Sequence, residues 1–278
     1  MTDLIKALIL QSNRTITMIR DLKTLDSTHT IIETDSIKHA GNLIEDLVSS
    51  GKRVLLILDV DEVLVRPAID VRTDPWFTKC LVRGDDLSDT QQKLYLSYAM
   101  LHFTGVEQHD TDDFVKMIST LSTSNNLSYM CLTSRHAMCH SYTTQHLKDA
   151  NYHNVFVRPN MLKLTDPLSI TNVMSTSFNT PCVRYVDNIC SCTAENKGVV
   201  TDSILTRCND TFDVVVFIDD SLSNINKVHD KLKMRTCNES SLCVHYTYMK
   251  SYSDEDFARD SKLIDDLLEF KNRLNQRI

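Results

Sequence analysis

The sequence predicts an α/β fold whose core is a Rossmann-like, doubly wound parallel sheet. Apolar runs without a helical period carry this prediction; they are Val54–Leu58, Tyr129–Leu132 and Val214–Ile218. Such runs are typical of central strands that are covered on both faces. The chain has 278 residues, of which 42% are hydrophobic. That is enough for one large α/β domain with an insertion, or for a core and a small cap.

Two helices are predicted in residues 1–50, before the first of these strands. The first, Met1–Leu22, has an apolar stripe but no positively charged start and no long apolar run. It is therefore predicted to be neither a signal peptide nor a membrane span. Packing on the core is the favoured interpretation, with peripheral membrane contact or docking of a partner as alternatives. The second helix, Asp35–Ser50, has apolar residues at helical spacing and ends at Gly51.

Two aspartates, Asp59 and Asp61, follow the strand Val54–Leu58 directly. Alternation along an extended chain points them to the same side, and ligands of open α/β sheets bind outside the carboxyl ends of the strands. Carboxylates placed in this way can hold a hard divalent cation, or one can attack a substrate while the other transfers a proton. The plain alternative is a strand followed by an aspartate-rich turn.

Polar residues also follow the other two predicted strands and open one predicted helix. In chain order they are Thr133, Ser134 and Arg135 after the second strand, Lys197 at the helix start, and Asp219, Asp220 and Asn224 after the third strand. Each has a simple alternative, because helix caps, surface lysines and Asp-Asp turns are common. Their order along the chain is harder to explain in that way.

The remaining segments predict further helices and strands. Residues 66–127 give no strong strand signal, and helices are predicted near Trp76–Phe77 and at Gln91–Phe103 and Asp112–Leu121. Beyond the second strand, the predicted elements are a helix Ala137–Ala150, a short strand Asn154–Val157, a strand or hairpin Val183–Cys192, a helix Ser223–Lys233, a strand Ser241–Tyr248 and a helix Asp254–Asn275. No internal repeat is visible.

Composition argues against several classes of function. The net charge of −7 includes no basic block, which argues against nucleic acid as a partner. The chain has five glycines and no Gly-rich phosphate loop. Nine cysteines without framework spacing or a secretory signal indicate reduced thiols and a cytoplasmic protein. Cys131 and Arg135 are too close for a cysteine-dependent phosphatase loop. The remaining metal-ligand candidates lack zinc-finger spacing and are interpreted as ordinary helix and strand residues; they are His136, Cys139, His140, Cys190 and Cys192.

The ordered motifs resemble those of phosphatases of the haloacid dehalogenase (HAD) superfamily, which carry Asp-x-Asp-x-Thr/Val, then Thr or Ser, then Lys, then an acidic pair. The chain has them at Asp59–Val63, Thr133, Lys197 and Asp219–Asp220, so the resemblance spans most of its length. The chain is also similar to an uncharacterised branch known largely from intracellular bacteria. That similarity rests on the short strings Ile32–Ser36, Asp74–Phe77, Leu132–Arg135 and Asn196–Gly198.

The resemblance implies a HAD-like core with a small helical cap inserted after the first strand. Residues 1–65 would form the N-terminal helices and the first core strand, residues 66–127 the cap, and residues 128–278 the remainder of the core. Caps exclude water and select substrates. The aromatic residues predicted either to line the substrate pocket or to form the cap's own core are Trp76, Phe77, Tyr95 and Tyr98.

The resemblance also implies roles for individual residues. Asp59 would be the nucleophile and Asp61 the general acid and base. Thr133 would bind a phosphoryl oxygen, and Lys197 would offset negative charge. Arg135 would contact substrate or phosphate, or form a plain salt bridge.

The same resemblance implies a Mg²⁺ site, because oxygen ligands favour that ion over zinc. Its ligands would be Asp59, the main chain of Asp61, and Asp219 and Asp220, of which either could bind directly. Asn224 would support this acidic loop. The residues implied in substrate contact are Ser134, Arg135 and Trp76.

The predicted function is that of a Mg²⁺-dependent phosphatase that hydrolyses phosphomonoesters through an aspartyl-phosphate. Its substrate would be a small phosphorylated metabolite or a phosphoprotein, including one with phosphotyrosine. The alternatives are a catalytically silent HAD-fold binding or scaffold protein, a secreted effector, and a phosphotransferase that uses the same intermediate. A cytoplasmic location is predicted, with delivery into a host cell's cytosol as the alternative suggested by the similarity to intracellular bacteria.

Overall fold

The computed structural model describes residues 28–67, 105–107, 111–135, 137–159, 161–166, 168, 183–193, 195–236, 239–248 and 253–275. The chain divides into two compact units. The first consists of residues 1–66 and 107–249, and the second of residues 67–106 and 250–278. The candidate site described below lies within the first unit.

A seven-stranded sheet organises the described part of the first unit. Its strands, in spatial order, are β1 (His29–Thr34), β9 (Ser240–Tyr246), β8 (Val214–Asp219), β2 (Val54–Leu58), β5 (Leu127–Thr133), β7 (Ile189–Ser191) and β6 (Arg184–Val186). Each neighbouring pair is parallel except β6 and β7, which form an antiparallel hairpin. The predicted Rossmann-like α/β fold with a mostly parallel sheet is thus confirmed.

Helices cover both faces of this sheet. The described helices of the first unit are α1 (Ile37–Ser49), α2 (Thr111–Leu121), α3 (His140–Asp149), α4 (His153–Phe156), α5 (Lys197–Arg207) and α6 (Leu222–Lys233); α7 (Asp254–Asn275) belongs to the second unit. On β2, Leu56 and Leu58 belong to one apolar cluster, and Leu55 and Ile57 belong to another. The first cluster includes residues of α1 to α4, and the second includes residues of α5 and α6. A strand buried on both faces explains why β2 is a continuous apolar run.

Two predicted elements are wrong. Residues 1–50 were expected to hold only helices, but His29–Thr34 forms an edge strand parallel to β9. Its alternating burial, with Ile32 inside and Ile31 partly exposed, is the half-buried pattern of an edge strand. The run Ile31–Ile32 is short enough to be read as either helix or strand. Because β1 precedes it, Val54–Leu58 is the second strand along the chain.

The second error is the strand predicted at Asn154–Val157, which is the helical turn α4. The main-chain amides of Val155 and Phe156 both donate to the carbonyl of Tyr152, at 3.0 Å, and close the turn. Phe156 is fully buried against the ring of Tyr129, with ring centroids 5.7 Å apart. A single apolar anchor suffices to hold one turn, and so short a run gives no period to detect.

The predicted cap falls largely outside the described residues. Trp76, Phe77, Tyr95, Tyr98 and Gln91–Phe103 all lie there, as does the predicted helix Met1–Leu22. Within residues 66–127 the structure describes a two-stranded sheet of β3 (Val65–Pro67) and β4 (Gly105–Glu107), and the helix α2. The predicted helix at Asp112–Leu121 is confirmed as α2. It packs on α1 in the first unit, where Phe114 lies against Gly41.

Candidate functional site

Sheet register brings the predicted motif residues to one edge. Leu58, the last residue of β2, pairs with Ile218 of β8 on one side and with Cys131 of β5 on the other. Asp59 therefore leaves the sheet beside Asp219 at the carboxyl ends of these parallel strands, and Thr133 ends β5 at the same edge. The main-chain amide of Asp59 still donates to the carbonyl of Ile218, at 2.9 Å, which fixes the start of the loop.

Three carboxylates meet at this edge. One oxygen each from Asp59, Asp219 and Asp220 lies within 4.8 Å of the others. Asp219 is fully buried, Asp59 is nearly so, and Asp220 is partly exposed. Buried charges without compensation are costly, so a cluster of this kind needs cations close by.

Among the described residues, Lys197 is the cation that contacts the carboxylate cluster. Its Nζ lies 2.9 Å from Oδ1 of Asp59 and 2.7 Å from Oδ2 of Asp219, and the side chain is fully buried. Burial lowers the pKa of Lys197, but the charges of Asp59 and Asp219 outweigh it and raise the pKa above its ordinary value. The ammonium therefore stays charged.

The start of α5 places this lysine. The side chain of Asn196 caps the helix by accepting hydrogen bonds from the amides of Gly198 and Val199, at 2.9 and 3.3 Å. Gly198 allows a close approach to α6, because a Cβ at this position would lie 2.2 Å from the main-chain oxygen of Lys227. The Asn-Lys-Gly string thus fits one function for each residue: a cap, a buried charge and a close helix contact.

The two adjacent aspartates of the acidic loop differ in their contacts. Asp219 accepts at Oδ1 from the amide of Ser221, at 2.8 Å, and from Nδ2 of Asn224, at 3.1 Å, while its Oδ2 accepts from Lys197. Among the described residues, no side chain or amide donates to the carboxylate of Asp220. Asp219 is therefore held as an anchor for Lys197, and Asp220 presents the free oxygens.

The charge balance of the cluster fits a divalent cation. Three carboxylates against one ammonium leave two negative charges in excess. Burial raises the pKa of Asp59 to about 8, with Lys197 acting in the opposite direction and Asp219 and Asp61 adding to the rise. Burial together with Asp59 and Asp219 also raises the pKa of Asp220 well above its ordinary value. Asp59, Asp219 and Asp220 could therefore hold a metal ion.

The carboxylate of Asp59 has one fixed and one open oxygen. Its Oδ1 accepts from the amide of Val60, at 2.7 Å, and from Lys197. No donor to Oδ2 exists among the described residues. A carboxylate held by one oxygen, with the other open, has the orientation that a nucleophile needs.

Asp61, in contrast, is paired with Arg135. The guanidinium Nε donates to Oδ2 at 2.9 Å, and Nη2 donates to Oδ1 at 2.6 Å. The hydroxyl of Thr133 lies 3.5 Å from the same Oδ2. Burial raises the pKa of Asp61, but the charge and hydrogen bonds of Arg135 outweigh it and hold the pKa below its ordinary value.

A tight turn over residues 60–65 follows Asp59 and contains Asp61. The amides of Leu64 and Val65 donate to the carbonyl of Val60, each at 3.0 Å, and the amide of Glu62 donates to Val65. Glu62 has a φ of +58°, a left-handed conformation that is uncommon for residues other than glycine. Val63 is fully buried, which fits an apolar residue at this position of the motif.

Sequence reasoning missed several residues that support the site. His245 of β9 pairs with Asp219 on the neighbouring strand β8. Its Nε2 lies 3.1 Å from the main-chain oxygen of Asp220, and its Nδ1 lies 3.2 Å from the carboxylate of Glu33. Through these two contacts the ring links the acidic loop to β1. No local signal marks His245, because its partners come from β1 and β8.

The remaining predicted residues lie at the same edge or outside the described chain. Ser134 is exposed directly after β5, and Arg135 is engaged by Asp61. Trp76 falls outside the described residues, so its substrate contact stays a prediction. Among the described residues, Cys131, Cys139, Cys190 and Cys192 are buried and form no disulfide.

Comparisons with known proteins identify a sequence family for the chain but no activity. Residues 33–276 match the sequence model of a family described as "Protein of unknown function (DUF2608)". No curated protein sequence matches the chain. The crystal structure of the Legionella pneumophila effector Ceg4 with an N-terminal TEV protease cleavage sequence is similar at 13% identity and a TM-score of 0.35. That match covers 78% of this chain and 94% of the other. Among the described helices, none is both long and apolar enough to cross a membrane.

Proposed function

The chain belongs to the DUF2608 family, and we propose that it is a Mg²⁺-dependent phosphatase that hydrolyses phosphomonoesters through an aspartyl-phosphate on Asp59. We further propose that it is a HAD-superfamily enzyme. The observation that carries the proposal is the state of Asp59: one oxygen is fixed by Val60 and Lys197, and the other lies open beside two more carboxylates.

In the first step, Oδ2 of Asp59 attacks phosphorus in line, and the bond from phosphorus to the ester oxygen breaks. Asp61 gives a proton to the departing oxygen, so the alcohol leaves neutral. Because Arg135 favours the carboxylate form of Asp61, this proton must first be taken up from the bound phosphomonoester or from water. Lys197, which touches the other oxygen of Asp59, offsets the negative charge gathered around the transferring group. Thr133 ends β5 at this edge and is the hydroxyl that we assign to a phosphoryl oxygen.

In the second step, a water oxygen attacks the phosphorus of the aspartyl-phosphate. Its proton passes to Asp61, now a carboxylate, and the bond from phosphorus to Asp59 breaks. Inorganic phosphate leaves, and both aspartates return to their starting forms. Dividing one displacement into two in this way is the general benefit of covalent catalysis.

A divalent cation would be held by Asp59 and Asp220, with Asp219 behind them. When bound, it supplies neutralisation of phosphate and carboxylate charge. The residues fit such an ion because their carboxylates carry two excess negative charges and use oxygen ligands alone. Asp220 is the ligand we assign to direct contact, since the oxygens of Asp219 already accept from Lys197, Ser221 and Asn224.

The test is release of phosphate from p-nitrophenyl phosphate, with Mg²⁺ and with chelator, by wild type, Asp59→Asn and Asp149→Asn. Asp149 is an exposed aspartate at the end of α3 and serves as the matched control. We expect metal-dependent turnover that falls by about 10⁴-fold or more in Asp59→Asn and is unchanged in Asp149→Asn. A folded wild type that binds Mg²⁺ yet hydrolyses no member of a phosphomonoester panel would instead favour a binding or scaffold protein.

A further inference from the structure

We propose that Arg135 is a positioning residue that orients the carboxylate of Asp61 for both proton transfers, rather than a residue that binds the substrate's phosphate. This inference rests on the proposed phosphatase function. The sequence left both a substrate contact and a plain salt bridge open for Arg135, and the proposed role belongs to the salt bridge.

The first support is the geometry of the pair. Arg135 uses Nε and Nη2 to reach both oxygens of Asp61, at 2.9 and 2.6 Å. Two parallel bonds fix the plane of a carboxylate as well as its position, which a single contact does not. Asp61 is therefore held in one orientation before any substrate arrives.

The second support is what holds Arg135 itself. Its Nη1 donates to the hydroxyl of Thr143, at 3.2 Å, and its main-chain amide donates to the hydroxyl of Thr133, at 3.2 Å. Thr143 is fully buried, and its hydroxyl also contacts the main-chain oxygen of Cys139, at 3.2 Å. The guanidinium is thus held by Thr143 of α3, and the main chain that carries it is held by Thr133 at the end of β5.

The third support is the difference in solvent exposure between the two side chains. The side chain of Arg135 is 17% exposed, whereas that of Asp61 is 42% exposed. A substrate that enters from solvent can reach the carboxylate more readily than the guanidinium. For Arg135 to clamp a phosphate with the same fork, it would have to release Asp61, the group that the reaction needs in place.

This role predicts a dependence on the leaving group. A nitrophenolate departs with little help, whereas an alkoxide needs its proton from Asp61. Misorienting Asp61 should therefore slow an alkyl phosphate more than an aryl phosphate. A residue that binds the phosphate would affect both alike, because the phosphate is common to both.

The experiment measures kcat and KM for p-nitrophenyl phosphate and glycerol 2-phosphate with wild type, Arg135→Met, Arg135→Lys, Asp61→Asn and the double variant Asp61→Asn/Arg135→Met. We expect Arg135→Met to lower kcat for glycerol 2-phosphate by about 10- to 100-fold, with a smaller loss for the aryl ester and little change in KM. Arg135→Lys should recover part of the loss. The double variant should be no slower than Asp61→Asn alone, because Arg135 acts through Asp61.

Thr143→Val keeps the ion pair and removes only the support behind it. It should produce the same leaving-group pattern at a lower amplitude, and it provides the test if Arg135→Met does not fold. Equal losses on both esters, a rise in KM, or an additive double variant would overturn the positioning role while leaving the phosphatase function intact. A wild type that hydrolyses neither ester would overturn the proposed function together with this inference.

Discussion

Asp59 and Asp61 are separated by one residue, yet the structure places them in opposite electrostatic surroundings. Asp59 is buried beside two other carboxylates and shares one lysine with Asp219, and its pKa is raised to about 8. Asp61 has an arginine to itself, with both oxygens bonded, and its pKa is held below its ordinary value. Asp59 thus belongs to a cluster with more negative than positive charge, whereas the charge of Asp61 is balanced by one arginine.

The difference teaches that a residue's partner from another element, and not its place in the motif, sets its chemistry. The turn at Val60 directs one carboxylate toward α5 and the other toward Arg135. These pKa shifts describe the site without a metal ion, and a divalent cation beside Asp59 would lower the pKa of that carboxyl and favour its ionised, nucleophilic form.

Lys197→Met should have the largest effect, because it leaves Asp59 and Asp219 buried with no cation among the described residues. We expect a loss of about 3–5 kcal/mol in the free energy of unfolding, measured by urea denaturation in chelator. Mg²⁺ should recover part of that loss, since it would replace the missing positive charge. Lys227→Met changes an exposed lysine and should alter stability by less than about 0.5 kcal/mol. Equal stabilities of the two variants would contradict the structure of the cluster.

Gly198→Ala breaks the same cluster without changing any charge. The added Cβ would clash with the main-chain oxygen of Lys227, so α5 and α6 must move apart and carry Lys197 with them. We expect a loss of about 1–3 kcal/mol, together with weaker Mg²⁺ binding by calorimetry.

Gly41→Ala is the matched control for this change. Its Cβ would meet side chains rather than backbone, namely ring carbon Cδ2 of Phe114 at 3.1 Å and the terminal methyl of Met117 at 3.2 Å, so a shift of a few tenths of an ångström suffices. Alanine also has the higher helix propensity, so the net change should be small. Similar losses at both glycines would show that the close approach at Gly198 has no special importance.

Asp59→Asn and Asp61→Asn should change the stability of the metal-free protein, measured in chelator, in opposite directions. The pKa of Asp59 rises from 3.8 unfolded to about 8 folded, so the native state binds the extra proton between these values and loses stability as pH rises through them. The side chain of Asp59→Asn does not titrate. The stability of this variant relative to wild type should therefore increase from pH 4 to pH 8. At pH 8 its melting temperature should be higher than that of wild type by about 2–4 °C, as expected for roughly 1 kcal/mol.

The sign reverses at Asp61, whose pKa is lower in the folded state than its ordinary 3.8. Its ionised form contributes stability above that value, and the contribution is lost as pH falls through the lowered pKa. Asp61→Asn should therefore be less stable than wild type by about 1 kcal/mol throughout pH 4–8, a modest figure because the side chain is 42% exposed. Melting curves with the same sign for both variants would contradict the contrast.

The sequence was sufficient to locate most of the sheet and the residues at its edge. Strands β2, β5 and β8 are continuous apolar runs followed by polar residues, and both features are local signals. The pairing of Arg135 with Asp61 was not predicted, because it depends on how the loops after β2 and β5 approach each other. Gly198 was visible only as part of a short string, since its close approach involves the backbone of α6. The edge strand β1 was missed because one short alternating run competes with a helical interpretation.

That edge strand has a practical consequence for protein production. Sequence similarity to the family begins at residue 33, inside β1, and a shortened chain cut there would lack His29–Ile32, which pair with β9 from Ser241 to Val244. Glu33 would become a free chain end. The contact of Glu33 with His245 would then be weakened, and His245 in turn contacts the main-chain carbonyl of Asp220. The side chain of Asp220 is the one assigned to direct metal contact. An expression boundary upstream of residue 28 keeps the outermost strand, and with it the acidic loop more than 180 residues away in the chain.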